Sequence, residues 1–264
     1  MQQNKKVHWI IEPCIFDKVG KFDRYNELIN IIEKNGDNIG KNYNEPIMCL
    51  SSLSTARDCG FYDKDTYYVS NYSKYLGEEF LNENYIIMPL SKLANASEFT
   101  AELIGSFISN TAFIKPNSGF KTFTGDCVDY TEIGEFCRDL LKMGVSENEL
   151  CIVSPAKDIE SFEHRFWIIN GEIVTSSIYS WGDLSIWSKE ELEPSALVIN
   201  YVKKIIKDIK IPTYTIDICE IESEFKVVEI NNIYTSGTYN CDLKKLYSGL
   251  RNLAIKEYED LNDI

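Results

Sequence analysis

Three oxygen-bearing side chains near the end of the chain carry the plainest chemical signal. Asp217 lies inside the apolar run 214–219, Glu229 stands near the end of the run 225–230, and Asn231 follows two residues later. A carboxylate inside a strand is costly to bury unless it is paired or holds a cation. In an extended chain Glu229 and Asn231 point to the same face. Asp, Glu and Asn oxygens on neighbouring strands are hard donors suited to magnesium with bound phosphate. The same spacing fits solvated residues at strand ends, and spacing alone leaves both readings open.

Three cations raise a matching question. Lys115 ends an apolar run beside Pro116, and Lys121 follows in the segment FIKPNSGFKTFTG. Such lysines either point inward as phosphate cations or outward as edge-strand charges. Arg165 shares a strand face with Glu163 and Trp167. Its planar fork suits phosphate, and a cross-strand pair with a glutamate explains it equally well.

These residues need strands to align them, and the hydrophobic pattern supplies strands. The N-terminal third alternates apolar runs at 8–11, 46–50, 66–69 and 85–88 with polar stretches. Leu28, Ile31 and Ile32 give the segment 25–34 helical spacing, with Gly36 as a stop. That pattern predicts a small α/β layer. A helix is expected over 94–109, capped by Asn95 or Ser97 and linking two halves. Beyond it the expected order is strands 113–115 and 121–123 around Ser118 and Gly119, a helix over 132–143 ended by Gly144, and a strand over 149–153. Asn170-Gly171 predicts a two-residue hairpin turn between 163–169 and 172–180. Pro194 opens a helix to about residue 209, two strands follow at 214–219 and 225–230, and a terminal helix fills 243–258 before a fraying EYEDLNDI tail. Two domains are expected, 1–110 and 111–264.

Composition removes several function classes. A chain of 264 residues with 44% hydrophobic and 26% charged residues can bury about 70–75% of its unfolded surface. Its net charge of -14, with no Lys/Arg cluster longer than a pair, gives no general affinity for nucleic acid. No stretch reaches the roughly 18 apolar residues of a membrane span, so neither membrane nor export is expected. Eight cysteines without a CxxC pair read as reduced thiols in the cytoplasm. Two histidines, His8 and His164, leave little scope for a histidine-rich metal centre or histidine-based nucleophilic catalysis, and His164 should face away from Arg165 in a packing or surface role. Trp181 and Trp187 read as a satellite core under a long loop, and Glu190, Glu191 and Glu193 as helix-start charge.

Taken in chain order, these segments resemble the ATP-grasp superfamily, especially its phage and bacterial branch. The resemblance rests on Lys115-Pro116, Lys121, Phe123 and Gly125, the CIVSP and EHRFWI strands, the lone Asp217 strand, and Glu229-x-Asn231 with Ser236-Gly237 and Tyr239-x-x-Asp242. It covers residues from about 111 to the end and implies an α/β (α+β) ATP-grasp fold behind a small Rossmann-like pre-ATP-grasp domain. By resemblance, Lys115 and Lys121 contact nucleotide phosphates, and the backbone of Cys151, Ile152 and Val153 meets adenine. Arg165 faces the γ-phosphate, with Lys121 beside it in catalysis. Asp217, Glu229 and Asn231 hold magnesium or manganese, and Tyr179, Ser236, Gly237, Tyr239 and Asp242 face the acceptor. The glycine-rich flap usual in such proteins is here NSGFKTFTG, with just Gly119 and Gly125. The activity implied is an ATP- and magnesium-dependent carboxylate–amine ligase of the peptide-forming type, acting through an acyl phosphate on small-molecule or peptide substrates. Phosphoryl transfer to a hydroxyl and non-catalytic ATP binding are the alternatives that the same fold allows.

Overall fold

Strand alternation and one turn build the central hairpin. Glu163–Ile169 (β8) and Glu172–Tyr179 (β9) pair antiparallel around Asn170 and Gly171, whose φ angles of 50° and 76° are those of the tight turn that Asn-Gly favours. The computed structural model describes residues 6–11, 29–31, 45–62, 66–95, 110–159, 162–179 and 193–262. In it β8 and β9 belong to a four-stranded sheet of order β11-β10-β8-β9, with β10 at Thr213–Ile221 and β11 at Glu224–Asn231. The chain divides into two compact units, one of residues 1–63, 162–217 and 231–264, the other of 64–161 and 218–230.

In the first unit, His8–Ile11 (β1), Ile29–Ile31 (β2) and Ile47–Leu50 (β3) form a parallel sheet of order β2-β1-β3. The helix expected over 25–34 is therefore corrected at its centre. A short apolar run fits either period, and pairing of Trp9 with Ile29 and Ile11 with Ile31 decides for strand. Leu53–Asp58 (α1) follows β3. Leu243–Leu261, numbered α6 in chain order, packs on β3, β8 and β9 and buries Leu246, Tyr247, Leu250 and Leu253; it absorbs most of the tail expected to fray. Trp9 stacks on Tyr247 at 4.5 Å between ring centroids, a contact worth about 0.5–1.5 kcal/mol beyond its buried area. The helix opened near Pro194 is Ala196–Ile205 (α5), capped by Ser195, whose Oγ accepts from the Val198 N–H at 3.4 Å.

The second unit is an antiparallel sheet under two helices. Ile86–Pro89 (β4), Thr111–Pro116 (β5), Asp126–Asp129 (β6) and Leu150–Pro155 (β7) take the order β4-β7-β5-β6. The run at 85–88 thus pairs with β7 and not with the N-terminal layer. The run at 66–69 is a turn leading into the short helix Val69–Tyr72 (α2), not a strand. Leu90–Ala94 (α3) and Ile133–Lys142 (α4) cover one sheet face, burying Leu93, Ile133, Cys137, Ile114, Cys151 and Val153 in a single core. Gly144, with φ of 92°, ends α4 where the sequence places its stop. Most of the helix expected over 94–109, and both Trp181 and Trp187, lie outside the described residues.

Candidate functional site

In the second unit the sheet face opposite the core carries the cations. Strand alternation puts Phe113, Lys115, Ile152, Leu150 and Ile87 on that face, and Ile87 and Leu150 are 39% and 41% exposed. Lys115 is buried; its Nζ lies 3.8 Å from Glu229 Oε2. Lys121 Nζ reaches Glu229 Oε1 at 3.3 Å from an exposed position. Two ammonium groups thus converge on one carboxylate.

The segment carrying Lys121 is irregular, which corrects the expected strand over 121–123; the return strand is β6. Its φ of 47° is left-handed and incompatible with a strand. Gly125 closes this segment onto β5: a Cβ there would stand 2.8 Å from Phe113 Cζ and 2.9 Å from Lys115 Cβ, so any side chain would displace the lysine stem. Asn117, buried at the end of β5, fixes the base of the segment. Its N–H donates to Leu150 O at 2.7 Å, its Oδ1 accepts from Ser70 N at 3.0 Å, and its Nδ2 donates to Ser70 Oγ at 3.1 Å.

Cys151, Ile152 and Val153 sit in the middle of β7, paired on one side with β4 and on the other with β5. Their backbone groups are spent on two ladders, so the expectation that this backbone meets adenine is corrected. What these residues offer is the Ile152 side chain, on the face with Lys115. The backbone past the ladder begins at Ala156, whose N–H still donates to Thr111 O at 3.0 Å.

In the first unit the chemistry centres on a buried ion pair. Arg165 Nε donates to Asp217 Oδ1 at 2.7 Å and Nη2 to Oδ2 at 2.6 Å, with the side chains 3% and 0% exposed. This bidentate geometry, with both groups removed from water, is the form in which such a pair is held most firmly. The Tyr239 ring lies over the guanidinium, its centroid 5.3 Å from Cζ. The residues around Tyr239 are pinned to the sheet: Asn240 N–H donates to Ser177 Oγ at 3.1 Å and Asp242 N–H to Thr175 Oγ1 at 3.0 Å. Ser236 Oγ donates to Asn232 O at 2.7 Å and is 2.8 Å from Thr215 Oγ1. Asp242 is the N-cap of α6, its Oδ1 accepting from the N–H groups of Lys244 and Lys245 at 3.1 Å each. Tyr179 ends β9, and Asn231 ends β11 two residues after Glu229. The structure therefore joins Lys115, Lys121 and Glu229 in one cluster and Arg165, Asp217 and Tyr239 in another.

Burial sets the protonation of the neighbours. His164, on the opposite face of β8 from Arg165, is pushed below its ordinary value of 6.5, and its Nδ1 is buried with no hydrogen-bond partner. Cys151 is pushed up to about 12 by burial, with Cys137 and Glu149 adding to the rise, so it stays a thiol. Among the described residues no three His, Cys, Asp or Glu side chains gather in one place. Each candidate carboxylate instead faces cations. The donor set is nevertheless all hard oxygen, and the apolar face holding Lys115 suits an aromatic base beside an anion, so these residues fit a nucleotide with a hard divalent cation.

Solved structures place this arrangement in a class. The D-alanine–D-alanine ligase of Bacillus anthracis complexed with ATP superposes with a TM-score of 0.59 at 14% identity, covering 97% of this chain and 99% of that one. A RimK domain ATP-grasp protein from Sphaerobacter thermophilus gives 0.57 at 9% identity, covering 96% and 98%, and the D-cycloserine synthetase DcsG gives 0.57 at 7%, covering 97% and 99%. At such identities the likeness is one of fold, and the fold is ATP-grasp. The particular family follows from sequence: the model of an ATP-grasp domain, family 3 of its clade, matches residues 66–250, and the chain belongs to that ATP-grasp family. No curated protein matches it.

Sequence reasoning missed Asn117, Thr175, Ser177 and Thr215. All four are buried polar residues at or within strands, and that placement was the one signal available.

Proposed function

We propose that this protein is an ATP- and magnesium-dependent carboxylate–amine ligase of the peptide-forming type, working through an acyl phosphate. The reading is carried by the cluster of Lys115 and Lys121 on Glu229, in a chain of the ATP-grasp family. Two cations gathered beside an apolar sheet face form a receptor for nucleotide phosphates, and the paired carboxylate keeps them in place until the phosphates arrive. Asp217, Glu229 and Asn231 would hold the magnesium. The Arg165 fork engages one lone pair of each Asp217 oxygen, and a carboxylate oxygen has a second with which to meet a metal. Bound there, the metal supplies charge neutralisation of the phosphate oxygens.

The remaining work falls to this chain's side chains. Lys115 and Lys121 orient the phosphates, and Ile87, Leu150 and Ile152 offer apolar surface to the base. A substrate carboxylate oxygen attacks the γ-phosphorus, the bond to the bridging oxygen breaks, and ADP leaves; Arg165 and Lys121 balance the charge that develops. An amine then attacks the acyl carbon, orthophosphate departs, and the amine loses a proton. Tyr179, Ser236, Gly237, Tyr239 and Asp242 are the acceptor side of this reading, with Ser236 and Asp242 already committed by their side chains to the loop and the helix cap. The substrates are small-molecule or peptide acids and amines. The seven free thiols among the described residues suit a reducing cytoplasm.

The test is incubation with ATP, magnesium and pooled amino acids, polyamines and short peptides. ADP and orthophosphate in equal amounts with a new amide, and a hydroxamate when hydroxylamine is added, are expected. AMP and pyrophosphate would overturn the assignment. A phosphorylated product without orthophosphate would make the protein a phosphotransferase, and ATP binding without ADP a non-catalytic module.

A further inference from the structure

Among the described residues, Lys121 and Tyr239 are the two outside a hairpin turn, other than glycine and asparagine, whose backbone is left-handed. For Tyr239 the φ is 42°. A bulky L residue takes that conformation only where its surroundings impose it, and such positions cluster at sites that work. The surroundings here are the hydrogen bonds from Asn240 N to Ser177 Oγ and from Asp242 N to Thr175 Oγ1, which anchor the loop to β9 just past the tyrosine. Their effect is to lay the Tyr239 ring across one face of the Arg165 guanidinium, within cation–π range.

Gly237 is fitted to the same arrangement. Its backbone is not left-handed, so its need is for space. A Cβ there would stand 3.2 Å from Cε2 and Cζ of Tyr239 and 3.3 Å from its hydroxyl. The ring, the glycine beneath it and the Asp217 carboxylate along the guanidinium edge thus form one assembly around Arg165.

We propose that Tyr239 is a positioning residue for Arg165: together with Asp217 it holds the guanidinium in a single orientation and ties the loop 236–242 to it. The carboxylate takes Nε and Nη2, and the ring covers a face, so rotation about the Nε bond is blocked and the other N–H groups keep a fixed direction. A cation held this way needs no reorganisation when charge develops before it. An acceptor that shifts the loop would be felt at Arg165. The catalytic consequence rests on the ligase reading; the geometry does not.

Two measurements separate these. In the nucleotide-free protein, the arginine Nε–H resonance of Arg165, assigned by its loss in Arg165→Lys, should be shifted by the aromatic ring and protected from exchange. Tyr239→Phe should keep it; Tyr239→Leu and Gly237→Ala should each move it and speed its exchange by about tenfold or more, with the backbone amide spectrum otherwise that of a folded protein. A wild-type signal in both Tyr239→Leu and Gly237→Ala, or no protected signal in the wild type, overturns the proposal. In the hydroxamate assay, Tyr239→Leu should lower kcat by about tenfold with KM for ATP unchanged and Tyr239→Phe restoring it. If wild-type protein forms no hydroxamate, the ligase reading fails while the resonance still decides whether the assembly exists.

Discussion

The buried pair of Arg165 and Asp217 gives the sharpest energetic prediction. Removing either partner strands a charge that is 3% or 0% exposed, and an uncompensated buried charge costs about 3–5 kcal/mol. Arg165→Met and Asp217→Asn should each lower stability by that amount, a drop in Tm of roughly 6–20 °C at the 2–4 °C per kcal/mol typical of chains near this size. The double variant Arg165→Met/Asp217→Leu removes both charges and replaces them with apolar volume. If the single costs were additive it would lose about 6–10 kcal/mol, whereas removal of an entire buried pair is often neutral or stabilising by about 1–4 kcal/mol. Urea denaturation of the wild type, both singles and the double closes the cycle. The double should recover most of the lost stability and remain without ligase turnover, which separates the pair's structural cost from its use in chemistry. Single variants within about 1 kcal/mol of wild type would refute the reasoning, because they would mean that the pair is solvated.

Three further outcomes follow from individual side chains. Glu229→Gln should keep the fold, since the side chain is 18% exposed, and lose turnover by tenfold or more; activity within about threefold of wild type, less than 1 kcal/mol of barrier, is too small for a metal ligand. His164 is held neutral by burial below its ordinary 6.5, so the unfolded chain takes up the proton first. Its contribution to stability is complete above 6.5 and is lost as the pH falls below it; His164→Gln should flatten that acid limb in a series of melts, and an unchanged slope would count against a buried neutral imidazole. Native alkylation near pH 8 should modify exposed Cys127 well before Cys137 and Cys151, whose thiols are pushed up to about 12 by burial; mass spectrometry showing either buried cysteine labelled as fast as Cys127 would contradict their burial.

Local chemistry made part of this protein legible from its sequence. Asn170-Gly171 dictates its turn whatever surrounds it, Gly144 ends α4, and the alternation of 163–169 puts Arg165 and Trp167 on one face because the pleat has period two. The ordered series from Lys115 to Asp242 was enough for the ATP-grasp family, since it needs residue types and spacing only. Elsewhere local signals were ambiguous or absent. Residues 29–31 carry an apolar run too short to distinguish helix from strand, and β1 settled the matter by offering backbone partners. Lys121 looked like a strand residue, but Gly125 draws its segment onto Phe113 and Lys115, and the backbone turns left-handed. The backbone of Cys151 to Val153 looked available until two neighbouring strands consumed it. Most of all, the sequence named Arg165 and Asp217 as separate candidates for phosphate and metal, 52 positions apart. Their bidentate pairing, the ring of Tyr239 over it and the clearance at Gly237 depend on distances between β8, β10 and a loop that no periodicity encodes. Such contacts arise only once long-range strand pairing has fixed which side chains share a buried space.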